Sequence, residues 1–246
     1  MPENKNLKIA ISQFPVSSDI HQNMNYITRQ IISASRGQVD VIHFPELALS
    51  GYETEVDQMD WGLVDQCVSE LKSLAKAHSI SIVIGLHQPN TDHPLPFNAT
   101  CLITSEGEIA GAYHKTNLYK KEKERFSAKE NFLLYDMRGV RCGFLICYDS
   151  HFPALFEKYR EMGAGLLFLS YNNARSTRPK NSLDDVMRSQ LITRAYDHHL
   201  YISGSNSSSH YSRMPSSFAC PDGTIFQMRR HVPGVMICEC PTGLNE

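Results

Sequence analysis

Hydrophobic and polar positions follow two periods along this chain, and the period changes from segment to segment. Leu7–Gln13 (LKIAISQ) alternates, with Ile9 and Ile11 on one face and the small Ala10 on the other, which predicts a strand. Met24, Ile27, Ile31 and Ala34 then recur at helical spacing. This predicts a helix from about Ile20 to Ser35, with N-cap candidates at Ser17-Ser18-Asp19 and a stop at Gly37. Val39–Phe44 reads as a second strand, broken by Pro45. A second helix, Trp61–His78, carries Leu63, Val64, Cys67, Leu71, Leu74 and Ala75 on one face and leads into a buried strand at Ile80–Leu86. Strand, helix and strand in succession mark an α/β unit.

The second half is mixed. Asn98–Thr104 and Glu108–His114 flank the turn Ser105-Glu106-Gly107 and predict a hairpin. Strand segments follow at Leu133–Tyr135 and Arg141–Ile146, then a helix at Phe152–Glu161 ended by Gly163, and a strand at Leu166–Ser170. A long helix, Leu183–Asp197, begins at Ser182 and carries Val186, Leu191 and Ala195; a strand at Leu200–Ser203 follows. Ser205–Ser217 is polar and Ser-rich, which predicts a loop. A hairpin around Pro221-Asp222-Gly223 (Ser217–Cys220 with Thr224–Met228) and a last strand, Gly234–Glu239, complete the pattern. No linker, low-complexity tail or repeat interrupts it, so one domain over residues 1–246 is expected.

Composition narrows the function classes. The 246 residues, 41% hydrophobic and 20% charged, suit a globular enzyme with a large core. A net charge of −2 gives no basis for a nucleic-acid or anionic-membrane partner. No apolar stretch approaches the ~20 residues that span a bilayer. Met1–Asn6 lacks the apolar core of an export signal, which makes the cytoplasm the expected compartment. The seven scattered cysteines then read as reduced thiols. Cys238 and Cys240 would share a strand face, but no second ligand pair accompanies them, so no metal site is expected.

Chemistry concentrates in three stretches. In Gly143–Pro153 (GFLICYDSHFP) an apolar strand ends on Cys147 just before a helix, a place where a thiol nucleophile meets a pocket. A small buried hydrophobe is the alternative reading of the same residue. A Cys147–His151 dyad is a further alternative, but it requires the helix to have begun at the thiol. A phosphatase loop would need arginine where Pro153 stands. Glu46 lies among apolar neighbours after Phe44-Pro45, where partial desolvation would make it a stronger base; a capping or surface carboxylate reads equally well. Lys115 at a strand end and Glu122 in the charge run Lys121–Arg125 would ordinarily be solvated.

Taken together, FPELALSGY (Phe44–Tyr52), YHKTNLYKKEKERF (Tyr113–Phe126) and GFLICYDSHFP resemble the carbon–nitrogen hydrolase (nitrilase) superfamily, and RAYDHHLY (Arg194–Tyr201) and the PDG turn add to the likeness. The resemblance implies a four-layer αββα sandwich of two mixed β-sheets flanked by helices, paired into a homodimer. It implies an amidase-type enzyme hydrolysing a non-peptide C–N bond in a small amide and releasing ammonia through a cysteine acyl-thioester. In that scheme Glu46 is the general base, Lys115 the oxyanion partner and Cys147 the nucleophile. Glu122 is the second glutamate, with Glu124 its rival for the role. The Tyr148 N–H would assist the oxyanion, and Tyr52, Tyr119, His151 and Asn172 would line the pocket. No metal or organic cofactor is implied. Nitrile or N-carbamoyl hydrolysis by the same triad, or a non-catalytic binding role, are the alternatives. Two departures bear on substrate. Ser150 and His151 occupy positions where many relatives carry arginine, which argues against a carboxylate held from that loop, and Ala154 replaces a glutamate.

Overall fold

A computed structural model describes residues 6–174 and 183–243; Met1–Lys5, Leu244–Glu246 and the expected helix start at Ser182 lie outside them. The first half follows the period changes closely. β1 (Leu7–Gln13) leads to α1 (Ile20–Arg36), β2 (Val41–His43), α2 (Trp61–His78), β3 (Ser81–Gln88) and the hairpin β4 (Phe97–Ile103) and β5 (Ile109–His114). Asp19 caps α1 by accepting from the His21 and Gln22 N–H groups at 2.9 and 3.2 Å, and Asp60 caps α2 through the Leu63 N–H at 2.9 Å. The second half continues with β6 (Leu134–Met137), β7 (Val140–Ile146), α3 (Pro153–Glu161), β8 (Leu166–Tyr171), α4 (Leu183–Asp197), β9 (Tyr201–Asn206), β10 (Ser217–Ala219), β11 (Ile225–Gln227) and β12 (Gly234–Cys240).

Among the described residues the strands form two six-stranded sheets, ordered β12-β1-β2-β3-β4-β5 and β11-β10-β9-β8-β7-β6. In the first, β1, β2 and β3 are parallel, β12 and β4 run opposite to them, and β5 pairs antiparallel with β4. In the second, β7, β8 and β9 are parallel, β6 and β10 run opposite to them, and β11 pairs antiparallel with β10. Each sheet is thus a βαβαβ unit followed by a hairpin and flanked by one further strand. The topology therefore repeats between the two sheets.

The period-two pattern separates two cores. Ala10, Ile42, Ile82 and Ile84 face α1 and α2, meeting Ile27, Ile31, Val64, Leu71 and Ala75. Ile9, Ile11, Val41 and Val83 belong to a cluster with Phe144, Phe168 and Ile202 of the second sheet, which reaches Phe156, Tyr159, Leu191 and Ala195 of α3 and α4. Helices, sheet, sheet and helices are therefore stacked as an αββα sandwich. Each fully buried Val, Leu, Ile or Phe among these stabilises the fold by about 1.5–3 kcal/mol. Polar links also cross between the sheets, and His43 makes two of them: Nδ1 lies 2.9 Å from Ser203 Oγ and Nε2 3.0 Å from Ser170 Oγ. Burial lowers the His43 pKa to about 3, so the ring is neutral, one nitrogen donating and the other accepting.

Most strand ends differ from expectation by one or two residues, and two boundaries differ for a clear physical reason. Ser205 and Asn206 pair with Ser170 and Tyr171 of β8, so the polar stretch predicted as loop from Ser205 is strand through Asn206. Phe152 caps α3 rather than opening it, with Pro153 at the first helical position, where its missing N–H costs nothing.

Candidate active site

Four chain segments converge at one rim of the sandwich. Cys147 directly follows β7, Asn172 follows β8, Lys115 follows β5, and Glu46 lies on the loop after β2. Crevices beyond the carboxyl ends of parallel strands are where α/β sheets ordinarily bind ligands. The Glu46 loop is seated firmly. The Glu46 N–H donates to the Tyr171 carbonyl at 3.2 Å, and the Leu49 N–H to the Gly85 carbonyl at 3.0 Å. At Gly85 a Cβ would stand 2.3 Å from Leu47 N, so only glycine lets β3 approach this loop.

The charged residues form a buried chain. Lys115 Nζ donates to Glu46 Oε1 at 2.7 Å and to Glu122 Oε1 at 2.8 Å. Lys115 and Glu46 are 0% exposed and Glu122 is 3% exposed. Glu46 Oε1 also accepts from Asn98 Nδ2 at 2.8 Å, and its Oε2 from the Asn172 N–H at 2.9 Å. Glu122 accepts from the Tyr52 hydroxyl at 2.7 Å and the Tyr119 N–H at 2.6 Å. The solvated reading of Lys115 and of the charge run is therefore corrected for Lys115 and Glu122. Lys120–Glu124 is a 3₁₀ turn in which Glu122 points inward above the buried Phe126, whereas Glu124 is exposed.

The electrostatics follow from two carboxylates sharing one ammonium out of water. Burial pushes the Glu46 carboxyl above its ordinary range, the Lys115 charge pulls it back, and Glu122 pushes it up again. Burial alone would lower Lys115, but Glu46, Cys147 and Glu122 outweigh it and hold the ammonium well above the ordinary lysine value. The Cys147 thiol is raised well above the usual range by burial and by Glu46, against the pull of Lys115 and of the Asn172 N–H. At rest this favours a neutral thiol beside an ionised, unusually basic Glu46. Burial and both carboxylates likewise keep the Tyr52 phenol protonated, as the donor it must be.

Cys147 opens the 3₁₀ turn Cys147–His151 with φ +44°, a left-handed conformation that costs a non-glycine residue about 1–2 kcal/mol. The turn presents the half-buried thiol to a cavity of about 710 Å³. Tyr52, Tyr119, Tyr148, His151 and Asn172 line this cavity with Cys147 and Glu122, while Glu46 and Lys115 lie buried behind its wall. The Tyr119 and Tyr148 rings are 5.0 Å apart, and His151 packs on Tyr148 at 4.9 Å. His151 is an exposed rim residue, and the carboxylates whose charge raises the Cys147 thiol are Glu46 and, less strongly, Glu122. Sequence reasoning missed Asn98, the second donor to Glu46 Oε1; its signal is an amide at a buried position near the start of the mostly apolar strand FNATCLI. Ser150, marked as a departure, is buried, with its Oγ donating to Gln190 Oε1 at 3.3 Å. Arg213 is a further wall residue the sequence did not single out. Among the described residues no group of three or more His, Cys, Asp or Glu is placed to hold a metal ion.

Comparison with known proteins bears on the family and the fold. The carbon–nitrogen hydrolase family model matches residues 8–243. An (R)-stereoselective amidase of a Pseudomonas species is 28% identical over 176 residues, 71% of this chain and 61% of that protein. A 2-oxoglutaramate amidase of Bacillus subtilis is 31% identical over 172 residues, 68% of this chain and 63% of that protein. The matched segments thus span less than two thirds of either relative. Among solved structures, an amidase of the nitrilase superfamily from Nesterenkonia superposes with a TM-score of 0.82 at 22% identity, covering 98% of this chain and 92% of that one. A variant of the same amidase, with the acetamide moiety of fluoroacetamide added covalently at its active-site cysteine, superposes equally well, with a TM-score of 0.82. At this identity the likeness shows the fold.

Proposed function

The chain belongs to the carbon–nitrogen hydrolase family, and from that premise we propose that it hydrolyses a small carboxamide to the acid and ammonia, with Cys147 as nucleophile. The observation that carries the reading is the buried Lys115, bonded to Glu46 and Glu122 behind the wall from which Cys147 faces the cleft. A thiol raised by burial does not ionise unaided near neutral pH, and Glu46 is the raised carboxylate beside it. Glu46 takes the Cys147 proton as sulfur attacks the carbonyl carbon. The carbonyl π electrons move to oxygen, where Lys115 and the Tyr148 N–H meet the charge. Collapse expels the nitrogen with the proton returned by Glu46, leaving a thioester and ammonia. Glu46 then draws a proton from water, whose oxygen attacks the thioester; the acid leaves and the thiol is restored. Glu122, tied to Tyr52 and the Tyr119 N–H, holds Lys115 in place.

The cleft has room for an acyl group well beyond two carbons, with Val16, Tyr171 and Met187 among its apolar wall residues. A second reading, an amide whose acyl group ends in a carboxylate, is favoured by one observation: Arg213, 3.9 Å from Asp184, lines the same cleft from the segment between β9 and β10. Ammonia release across neutral amides, carboxylated amides, nitriles and N-carbamoyl compounds separates these readings. Release from none of them in a folded protein would leave the non-catalytic alternative. The reading extends to the protein's setting. Seven free thiols suit a reducing, cytoplasmic compartment. The exposed Leu183, Val186 and Tyr196 of α4 suit pairing with a second copy through the outer helices, checked by light scattering in solution.

A further inference from the structure

We propose that Asp149 is a positioning residue that fixes Cys147 relative to Lys115. The inference rests on the reading of Cys147 as nucleophile. Asp149 is 0% exposed, two residues beyond the thiol, and takes no direct part in the Glu46–Lys115–Glu122 chain. Its carboxylate accepts four hydrogen bonds from both sides of the site. Oδ2 accepts from the Tyr113 hydroxyl at 2.9 Å and from the Ile146 N–H at 3.1 Å. Oδ1 accepts from the Asn117 N–H at 2.9 Å and from Asn117 Nδ2 at 3.0 Å.

The placement of these donors gives the bonds their meaning. Tyr113 and Asn117 bracket Lys115, two residues before it and two after. Ile146 and Asp149 bracket Cys147. One carboxylate therefore ties the segment carrying the lysine, from the first sheet, to the segment carrying the thiol, from the second. It also bridges Cys147, whose backbone is left-handed at φ +44°. A turn whose third residue accepts from the Ile146 N–H that precedes it, and from the Lys115 segment, keeps the sulfur aimed without needing glycine. Four donors converge on two oxygens, so the group is used as an anion; a proton on either oxygen would oppose a donor. Lys115 adds a favourable charge, working against the upward push of burial.

Asp149→Asn tests this at constant shape. The Tyr113 hydroxyl can turn to accept from the new amide, but the amide NH₂ must then oppose the Ile146 N–H. Flipped, it opposes the Asn117 N–H instead. Either way one backbone donor loses its partner and the turn shifts. Two readouts are taken on folded protein: kcat and KM for an amide, normalised to titrated Cys147 thiol, and the alkylation rate of Cys147 by iodoacetamide, followed by peptide mass. Expected are a kcat about 10- to 100-fold lower with KM changed less than about threefold, and slower alkylation of Cys147. A merely structural role would lower the folded fraction and leave both normalised values unchanged; that result overturns the proposal. Should Asp149→Asn fail to fold, Tyr113→Phe removes a single donor and carries the same test, with an expected fall in kcat of about 3- to 10-fold. Unchanged kcat and unchanged alkylation there also overturn it. If Cys147→Ala keeps full ammonia release, the nucleophile reading fails, and the alkylation arm still measures Asp149's hold on the thiol because it needs no turnover.

Discussion

Replacing Lys115 with methionine removes one ammonium and leaves two carboxylates, Glu46 and Glu122, in a space almost closed to water. The 2.7 and 2.8 Å bonds to those carboxylates are lost together. Breaking a buried ion pair from one side costs about 3–5 kcal/mol, because the remaining charge keeps its desolvation penalty. Against a typical total of about 5–15 kcal/mol this is severe but survivable. At about 2–4 °C per kcal/mol for a chain of this size, Tm should fall by roughly 6–20 °C at pH 7. The loss has a pH signature. Without the ammonium the Glu46 carboxyl, already raised by burial and by Glu122, rises further. A raised carboxyl favours the fold fully below the unfolded glutamate value of about 4.3, and the benefit disappears as pH climbs through the folded value. The Tm gap between wild type and Lys115→Met should therefore widen between pH 5 and pH 8. Adding Glu46→Gln to Lys115→Met should recover part of the loss, since an unpaired charge becomes a neutral amide. Differential scanning fluorimetry across pH provides the assay. A Lys115→Met protein within 2 °C of wild type at pH 7, with no widening of the gap, would refute a buried three-residue charge cluster.

Three further outcomes follow from the same geometry. Glu122→Ala should lower kcat by about 10²-fold by freeing Lys115 and the Tyr52 hydroxyl, whereas Glu124→Ala, at an exposed position, should stay within about twofold; steady-state ammonia release reads both. kcat/KM should fall on the acid side as Glu46 gains a proton, with the midpoint above the ordinary glutamate value of about 4.3 because the folded pKa is raised; Glu46→Gln should abolish the turnover that shows this limb. His43→Phe should destabilise the fold by about 2–4 kcal/mol in urea titrations, by leaving the Ser170 and Ser203 hydroxyls without their shared partner between the sheets.

How far the sequence reached depends on the range of the forces involved. The alternation of Ile9, Ala10 and Ile11 places each residue in the correct core, and the stripe through Ile27 and Ile31 places α1, because both are local periodicities. Glu46, Lys115 and Cys147 were legible through the residues around them, not through their own character; singly, each fits a bland role. The choice between Glu122 and Glu124 was not legible. Both lie in one charge run, and only the inward turn over the buried Phe126 separates them. Asn98 and Asp149 were overlooked for a related reason: their partners lie 52 positions away for Asn98 and as many as 36 for Asp149, where no spacing rule operates. The topological repeat was invisible because strand order is a long-range property with no counterpart in residue identity here.

The central claim is that Cys147 is the thiol that attacks. Incubating the protein with iodoacetamide, which alkylates at its carbon–iodine bond, and mapping adducts by peptide mass tests this directly, since Cys220 and Cys238 are also partly exposed thiols and serve as internal controls. The predicted result is a single carbon–sulfur adduct on Cys147, formed much faster than any on Cys220 or Cys238, slowed by an amide substrate and matched by loss of ammonia release. Adducts spread over Cys220 and Cys238, with Cys147 unlabelled and amide turnover intact, would contradict it.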